Sequence, residues 1–279
     1  MPPARLSRVL ILISGICIIS LRIRLYAAEK LPPLLPSPFS LTVDSMALRC
    51  YGFARTGEDA AYLASDIPLE QVEQGLAALK TLGVGGFNVT MPFKHMLTAD
   101  GFSCNAVSVK CGRFFPASTD GDGVMMSLEK RGICVDGKKL LIVGAGGSAC
   151  AAARSLAQDG AKLYFANRTE EKACGLARFF DAKTHKKGID YYGILSFVPV
   201  WDKMLFAEES DVEKAEFVFD AYYFHDTRLL QCAREKGKFA IGGLDMLFFQ
   251  AIRAFEIFTS VKASPADIDE LYKLFGSMI

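Results

Sequence analysis

The sequence predicts an α/β protein of two regions, the second a doubly wound parallel sheet, and three observations carry that reading. A strand, a glycine-rich turn, a helix and a second strand follow one another between Lys138 and Ala166. A βαβ unit of this length implies a parallel sheet with a right-handed crossover. Two further short apolar runs, Phe217 to Phe219 and Phe239 to Ile241, read as buried strands of the same sheet. Upstream, from Thr42 to about Arg113, helices and short strands alternate. With 51% of its 279 residues hydrophobic and 23% charged, the chain can bury a sizeable core.

Taken in order, the first element is the apolar run Val9 to Leu21, thirteen residues flanked by Arg5, Arg8, Arg22 and Arg24. As a helix it would rise only about 20 Å, too little for a bilayer core of about 30 Å. As a signal peptide it has a basic start and an apolar middle, but Arg22 and Arg24 fall before the small pair Ala27-Ala28. The reading preferred here is a buried β-strand, with residues 1–35 left of uncertain status. Four prolines between 32 and 38 then form a stiff, non-helical connection.

Asp66-Ile67-Pro68 marks a helix start, and Leu69, Val72, Leu76 and Leu79 form its apolar stripe. Gly83, Gly85 and Gly86 stop it, and Phe87 to Met91 is a short strand. The second region opens near Ser118. Lys138–Val143 is its first strand, Ser148–Asp159 the helix and Leu163–Ala166 the next strand. The chain closes with a segment from Leu244 to Phe258 and a helix opened by Ser264-Pro265-x-Asp267, a capping-box variant.

Charge and cysteine usage exclude several classes. Lys plus Arg is 32 against 31 Asp plus Glu, a net charge of +1, so nothing draws the chain to nucleic acid or an anionic membrane. The eight cysteines, at 17, 50, 104, 111, 134, 150, 174 and 232, include no C-x-x-C pair, and His95, His185 and His225 stand apart. No metal site is therefore expected. Scattered cysteines of this kind read as small core residues of a reducing compartment, so the expected location is cytoplasmic.

Val143-Gly144-Ala145-Gly146-Gly147-Ser148-Ala149 follows a strand and opens a helix, the context that gives a glycine motif meaning. Gly144 permits the tight turn, Gly146 a close approach of backbone to a pyrophosphate, and Ala149 close helix–sheet packing. The helix N-terminus adds N–H groups and positive potential for the phosphates. A dinucleotide-binding domain of the Rossmann type is expected. At the tip of the second strand stand Asn167, Arg168 and Thr169, then Lys172, with no carboxylate to bind a ribose 2′-hydroxyl. Arg168 can stack on adenine and hydrogen-bond a 2′-phosphate, and Lys172 adds a point charge, so NADP is the expected cofactor.

A nicotinamide enzyme moves a proton as the hydride moves and needs an acid/base within hydrogen-bond reach. Lys94 follows the polar strand end Asn88-Val89-Thr90, and Asp120 sits where the first region hands over to the second. A Lys and an Asp meeting in a cleft can share a hydrogen bond and relay a proton, although such pairs also occur as structural or solvated contacts.

Four ordered motifs resemble those of shikimate dehydrogenases: Gly86-Phe-Asn-Val-Thr-Met-Pro-Phe-Lys94, Ser118-Thr-Asp-Gly-Asp-Gly123, Gly144-Ala-Gly-Gly147 with Asn167-Arg-Thr169, and Gly243-Leu-Asp-Met-Leu-Phe-Phe-Gln250. The resemblance covers about residues 40–279. It implies NADP-dependent, reversible reduction of 3-dehydroshikimate to shikimate, on the route to chorismate and the aromatic amino acids. It implies Lys94 and Asp120 as the catalytic pair, with Lys94 giving the proton. It further implies Asn88, Thr90, Asn105 and Gln250 on ring hydroxyls, Ser40 on the carboxylate, and Tyr223 within reach of substrate. Gly144, Ala145, Gly146, Gly147, Asn167, Arg168, Thr169, Lys172 and Gly243 are the implied cofactor residues. The implied fold is an N-terminal substrate domain (1–117 with 246–279), an NADP domain (118–245), and C-terminal helices packing back on the first domain. The expected partner is a small-molecule substrate, with a monomeric or homodimeric chain. Two departures stand out: the family's Ser-x-Ser-Pro motif is altered around Ser40, and the segment from Lys94 to Asn105 is short. A relative acting on quinate or a similar ring acid would need the same pair with other hydroxyl contacts. A catalytically weak dinucleotide-binding module would not need the pair at all.

Overall fold

The computed structural model describes residues 8–14, 60–90, 94 and 103–278. It divides into two compact units, Met1–Thr119 with Ala251–Ile279, and Asp120–Gln250.

In the first unit, β1 (Arg8–Ser14), β2 (Ala60–Asp66), β3 (Gly86–Val89), β4 (Ala106–Lys110) and β5 (Arg113–Ala117) form one sheet in the order β2-β1-β3-β4-β5. β1 pairs in parallel with both β2 and β3. The first half of the apolar run is therefore a strand, and a continuous apolar run is what a parallel strand with two neighbours requires. Its remainder lies outside the described residues. β4 and β5 make an antiparallel hairpin closed by Cys111 and Gly112, both at positive φ (50° and 68°), as a type I′ turn demands. Pro116 is tolerated because β5 is at the sheet's edge.

The helix expected from Asp66 starts later. Pro68 is extended (ψ 146°), and the Gln71 N–H reaches the Pro68 carbonyl at 2.9 Å, closing a 3₁₀ turn over Leu69–Gln71. The α-helix, α1, runs Val72–Thr81. Leu69 consequently leaves the predicted stripe and is 58% exposed, while Leu79 alone of the four is fully buried. Gly83, at φ +67°, ends the helix as expected. Leu79, Val84, Phe87, Val89, Cys104 and Val107 make the core of this unit.

The second unit carries α2 (Asp120–Glu129), β6 (Lys139–Val143), α3 (Gly147–Gln158), β7 (Lys162–Ala166), α4 (Glu170–Phe179), β8 (Lys183–Thr184), β9 (Gly193–Ser196), α5 (Glu209–Lys214), β10 (Phe217–Asp220), α6 (Arg228–Glu235) and β11 (Phe239–Gly242). Its six strands lie in the order β11-β10-β9-β6-β7-β8, all parallel. This is the doubly wound sheet that the βαβ unit predicts, with the order reversing between β6 and β9. Successive residues alternate between two buried layers: Leu140, Ile142, Phe165, Leu195, Phe217 and Phe219 on one face, Leu141, Val143, Tyr164, Ile194 and Val218 on the other.

The boundary between the units falls inside α7 (Gly243–Thr259), and α8 (Pro265–Met278) follows. At the head of α8 the Ser264 hydroxyl accepts the Asp267 N–H at 3.2 Å and donates to its carboxylate at 2.6 Å, the predicted cap. The cysteine expectation needs correcting. Cys104 and Cys232 are core residues, but Cys111 and Cys134 are exposed and Cys150 and Cys174 half-buried, because the hairpin turn and the α2–β6 connection run over the surface. Among the described residues no helix is long and apolar enough to cross a membrane, and no cluster of metal-ligating side chains occurs.

Candidate active site and dinucleotide turn

In the first unit the polar residues gather where β3 ends. Asn88 is buried on β3 and its amide donates to the Asn105 carbonyl at 2.7 Å. The Asn105 side chain grips Thr119 from both ends: its Oδ1 accepts the Thr119 N–H at 2.7 Å and its Nδ2 donates to the Thr119 hydroxyl at 2.9 Å. Thr90 follows directly and is half-buried, as is Lys94. The Lys94 carbonyl accepts the Cys104 N–H at 2.8 Å, which brings the lysine's backbone beside the residue preceding Asn105. Asn88, Thr90, Lys94 and Asn105 therefore converge. Ser40 and residues 95–102 lie outside the described residues.

In the second unit Asp120 is the first residue of α2 and is buried. The Ser148 hydroxyl, on the first turn of α3, donates to Asp120 Oδ2 at 2.7 Å. Two glycines allow this placement. A Cβ on Gly121 would press on the Ala151 carbonyl at 2.5 Å and on the Ser155 hydroxyl. One on Gly123 would meet the Met246 carbonyl at 2.7 Å and Gln250 Cβ at 3.1 Å. α2 is thus seated closely against α3 and the first half of α7, and Gln250 lies beside the turn that begins with Asp120.

The glycine-rich turn behaves as its residues require. Gly144 has φ +116°, and a Cβ there would come within 3.3 Å of the Phe197 carbonyl beyond β9. Gly146 is the N-cap of α3 with no side-chain cap, and its Cβ position faces open space. A helix end left uncapped by its own side chains, fronted by a residue without a side chain, suits an anionic phosphate. Ala145 and Gly147 are half-buried and Ala149 fully so. Burial pushes the Cys150 thiol up.

At the tip of β7 the Asn167 amide donates to the Thr169 carbonyl at 3.0 Å, folding the turn ahead of α4. Arg168, Thr169 and Lys172 are exposed there, with Glu170 and Glu171 on the first turn of α4. These donors and cations fit an adenosine 2′-phosphate. Gly243 opens α7 with its α-carbon packed on the Ala221 carbonyl, where a Cβ would collide. Tyr223, in the segment after β10, is 36% exposed.

Sequence reasoning missed two of these relationships. Ser148 lies inside the glycine motif, and its place on the first helical turn was the available signal. Thr119 was visible only as part of the Ser118–Gly123 motif, without its hold on Asn105.

The chain is similar to known proteins over most of its length. Residues 41–109 match the family described as shikimate dehydrogenase substrate binding domain, and residues 127–192 the family described as shikimate / quinate 5-dehydrogenase. The shikimate dehydrogenase (NADP(+)) of Aquifex aeolicus is 33% identical over 217 residues, covering 72% of this chain and 81% of the relative. A solved shikimate dehydrogenase in complex with NADP+ superposes with a TM-score of 0.77 at 27% identity, covering 98% of this chain and 96% of the other. The Thermus thermophilus shikimate 5-dehydrogenase in complex with shikimate gives a TM-score of 0.74 at 25% identity, covering 96% and 99%.

Proposed function

Because the chain belongs to the shikimate dehydrogenase family, we propose that it is an NADP-dependent shikimate dehydrogenase, reversibly reducing 3-dehydroshikimate to shikimate. The observation that carries the reading is Asp120, a buried carboxylate at the head of α2, hydrogen-bonded to the first turn of the helix that follows the dinucleotide turn. A buried carboxylate set beside the cofactor turn is a functional-site candidate.

Residues 118–245 bind NADP and residues 1–117 with 246–279 supply most of the contacts to the ring acid. Gly144, Ala145, Gly146 and Gly147 take the pyrophosphate, Asn167, Arg168, Thr169 and Lys172 the 2′-phosphate end, and Gly243 keeps the backbone close. NADPH, when bound, supplies the hydride. Lys94 gives its proton to the carbonyl oxygen as that oxygen gains charge, and Asp120 accepts a hydrogen bond from a ring hydroxyl. Asn88, Thr90, Asn105 and Gln250 hold ring hydroxyls, Tyr223 reaches the substrate, and Ser40 takes its carboxylate. Amides fixed in place by the Asn88–Asn105 and Asn105–Thr119 hydrogen bonds suit recognition of a polyol acid. Cysteines scattered without a C-x-x-C pair support a reducing, cytoplasmic setting.

The test is oxidation of shikimate by the purified protein, followed by NADPH absorbance, with quinate and NAD in parallel. NADPH production with shikimate supports the reading; turnover of quinate alone, or silence with every pair, overturns it.

A further inference from the structure

The carboxyl ends of β9 and β10 carry a second polar construction that the reaction as described does not use. Asp220 ends β10 and is 1% exposed. Its Oδ1 accepts the Tyr222 N–H at 3.1 Å and its Oδ2 accepts the Thr227 hydroxyl at 3.0 Å. Ser196, its register partner on β9, adds a side-chain hydrogen bond. Thr227 is fully buried and caps α6 by accepting the Leu230 N–H at 3.3 Å. One carboxylate thus ties down both ends of the segment Ala221–Asp226.

That segment holds Tyr222, Tyr223, Phe224 and His225, and Trp201 joins them. The Trp201 carbonyl accepts the Arg228 N–H at 2.7 Å, and its ring lies 5.1 Å from the His225 imidazole. Tyr222 stands 5.8 Å from Phe224 and 6.1 Å from His225, and Tyr223 4.6 Å from Phe224. Trp201 and Phe224 are each about half exposed. A connected group of exposed rings at the carboxyl edge of an open parallel sheet lies where such sheets bind their ligands. The backbone that carries four of these rings is anchored at both ends by Asp220.

We propose that Asp220 is a positioning residue for the shikimate dehydrogenase reaction, pinning residues 221–226 so that Tyr223 and its neighbouring rings are held ready for the substrate. This rests on the functional reading above, and the experiment separates the two. Trp201 is the chain's single tryptophan, so acrylamide quenching of its emission reports on this cluster whether or not the protein turns over shikimate. Asp220→Ala, Thr227→Val and Thr227→Ser are made in the full chain. Each is followed by quenching, by NADP affinity from calorimetry, and by kcat and KM for shikimate.

The expected result is a quenching constant raised about 2-fold in Asp220→Ala and Thr227→Val, and kcat/KM lowered about 10-fold or more, with NADP affinity within about 3-fold. Thr227→Ser, which keeps the hydroxyl, restores both. The proposal is overturned if quenching stays at the wild-type value, if NADP affinity falls as far as kcat/KM, or if Thr227→Ser behaves like Thr227→Val. Absence of shikimate turnover in the wild type overturns the functional reading and, with it, the role in that reaction. Quenching then still decides whether Asp220 pins the segment.

Discussion

The Ser148 hydroxyl donates to Asp120 Oδ2 at 2.7 Å, linking the first turn of α3 to the first residue of α2. Ser148 directly follows the glycine-rich turn, so the segment proposed to receive a dinucleotide and the carboxylate proposed to act on the substrate share a hydrogen bond. The bond fixes which way the carboxylate faces. Ser148→Ala is expected to lower kcat about 10-fold while NADP affinity changes less than about 3-fold, since the lost contact orients a catalytic group. Equal losses in affinity and kcat would show that Ser148 serves the cofactor alone.

The seating of α2 gives a stability prediction. Gly121→Ala places a Cβ 2.5 Å from the Ala151 carbonyl, and backbone cannot yield as a flexible side chain does. Overpacking of this kind costs about 1–3 kcal/mol, to be read as a lower urea midpoint. An unchanged midpoint would mean that α2 is not held against α3 in this way.

In the proposed function, selectivity for the 2′-phosphate rests on two exposed cations, Arg168 just after β7 and Lys172 on the first turn of α4. Arg168→Asp should weaken NADP binding by roughly 10-fold or more and leave NAD within about 3-fold, because only NADP carries the phosphate that the guanidinium would meet. Isothermal titration of both cofactors checks it, and equal weakening of the two would remove the assignment.

Burial raises the Asp220 carboxyl to about 6, against hydrogen bonds from Tyr222, Thr227 and Ser196 that pull it down. The folded chain therefore keeps this proton between about pH 4 and 6, where the unfolded chain has lost it. Stability falls as pH rises through that window, by roughly 3 kcal/mol in all, and this contribution is flat above it. Asp220→Asn cannot titrate, so the difference in unfolding free energy between wild type and variant should change across pH 4–6 and level off above. Parallel stability curves would contradict the shift.

Local signals made much of this legible. β6, the glycine turn, α3 and β7 each declare themselves within a few residues: an apolar run, a glycine forced to φ +116°, a small residue at Ala149. α2 did not, since Asp-Gly-Asp-Gly has the composition of a loop. Its helix is stable because Gly121 and Gly123 let it pack closely on Ala151 and Met246, a tertiary effect that propensity does not contain. Leu69 kept the helical period yet fell outside the helix once Pro68 closed a 3₁₀ turn. Among the candidate residues, Asn88, Lys94, Asn105 and Asp120 were named from motifs, whereas Ser148, Thr119 and Asp220 act through partners 28, 14 and 7 residues away in sequence. No periodicity brings such pairs together.

In the proposed reaction Lys94 supplies the proton while a separate set of residues holds the cofactor. Lys94→Ala tests it most directly, with shikimate turnover and NADP affinity measured on the same preparation. Turnover is expected to fall by about 100-fold or more, as loss of a general acid requires, with NADP affinity within about 2-fold of wild type. Undiminished turnover in this variant would contradict it.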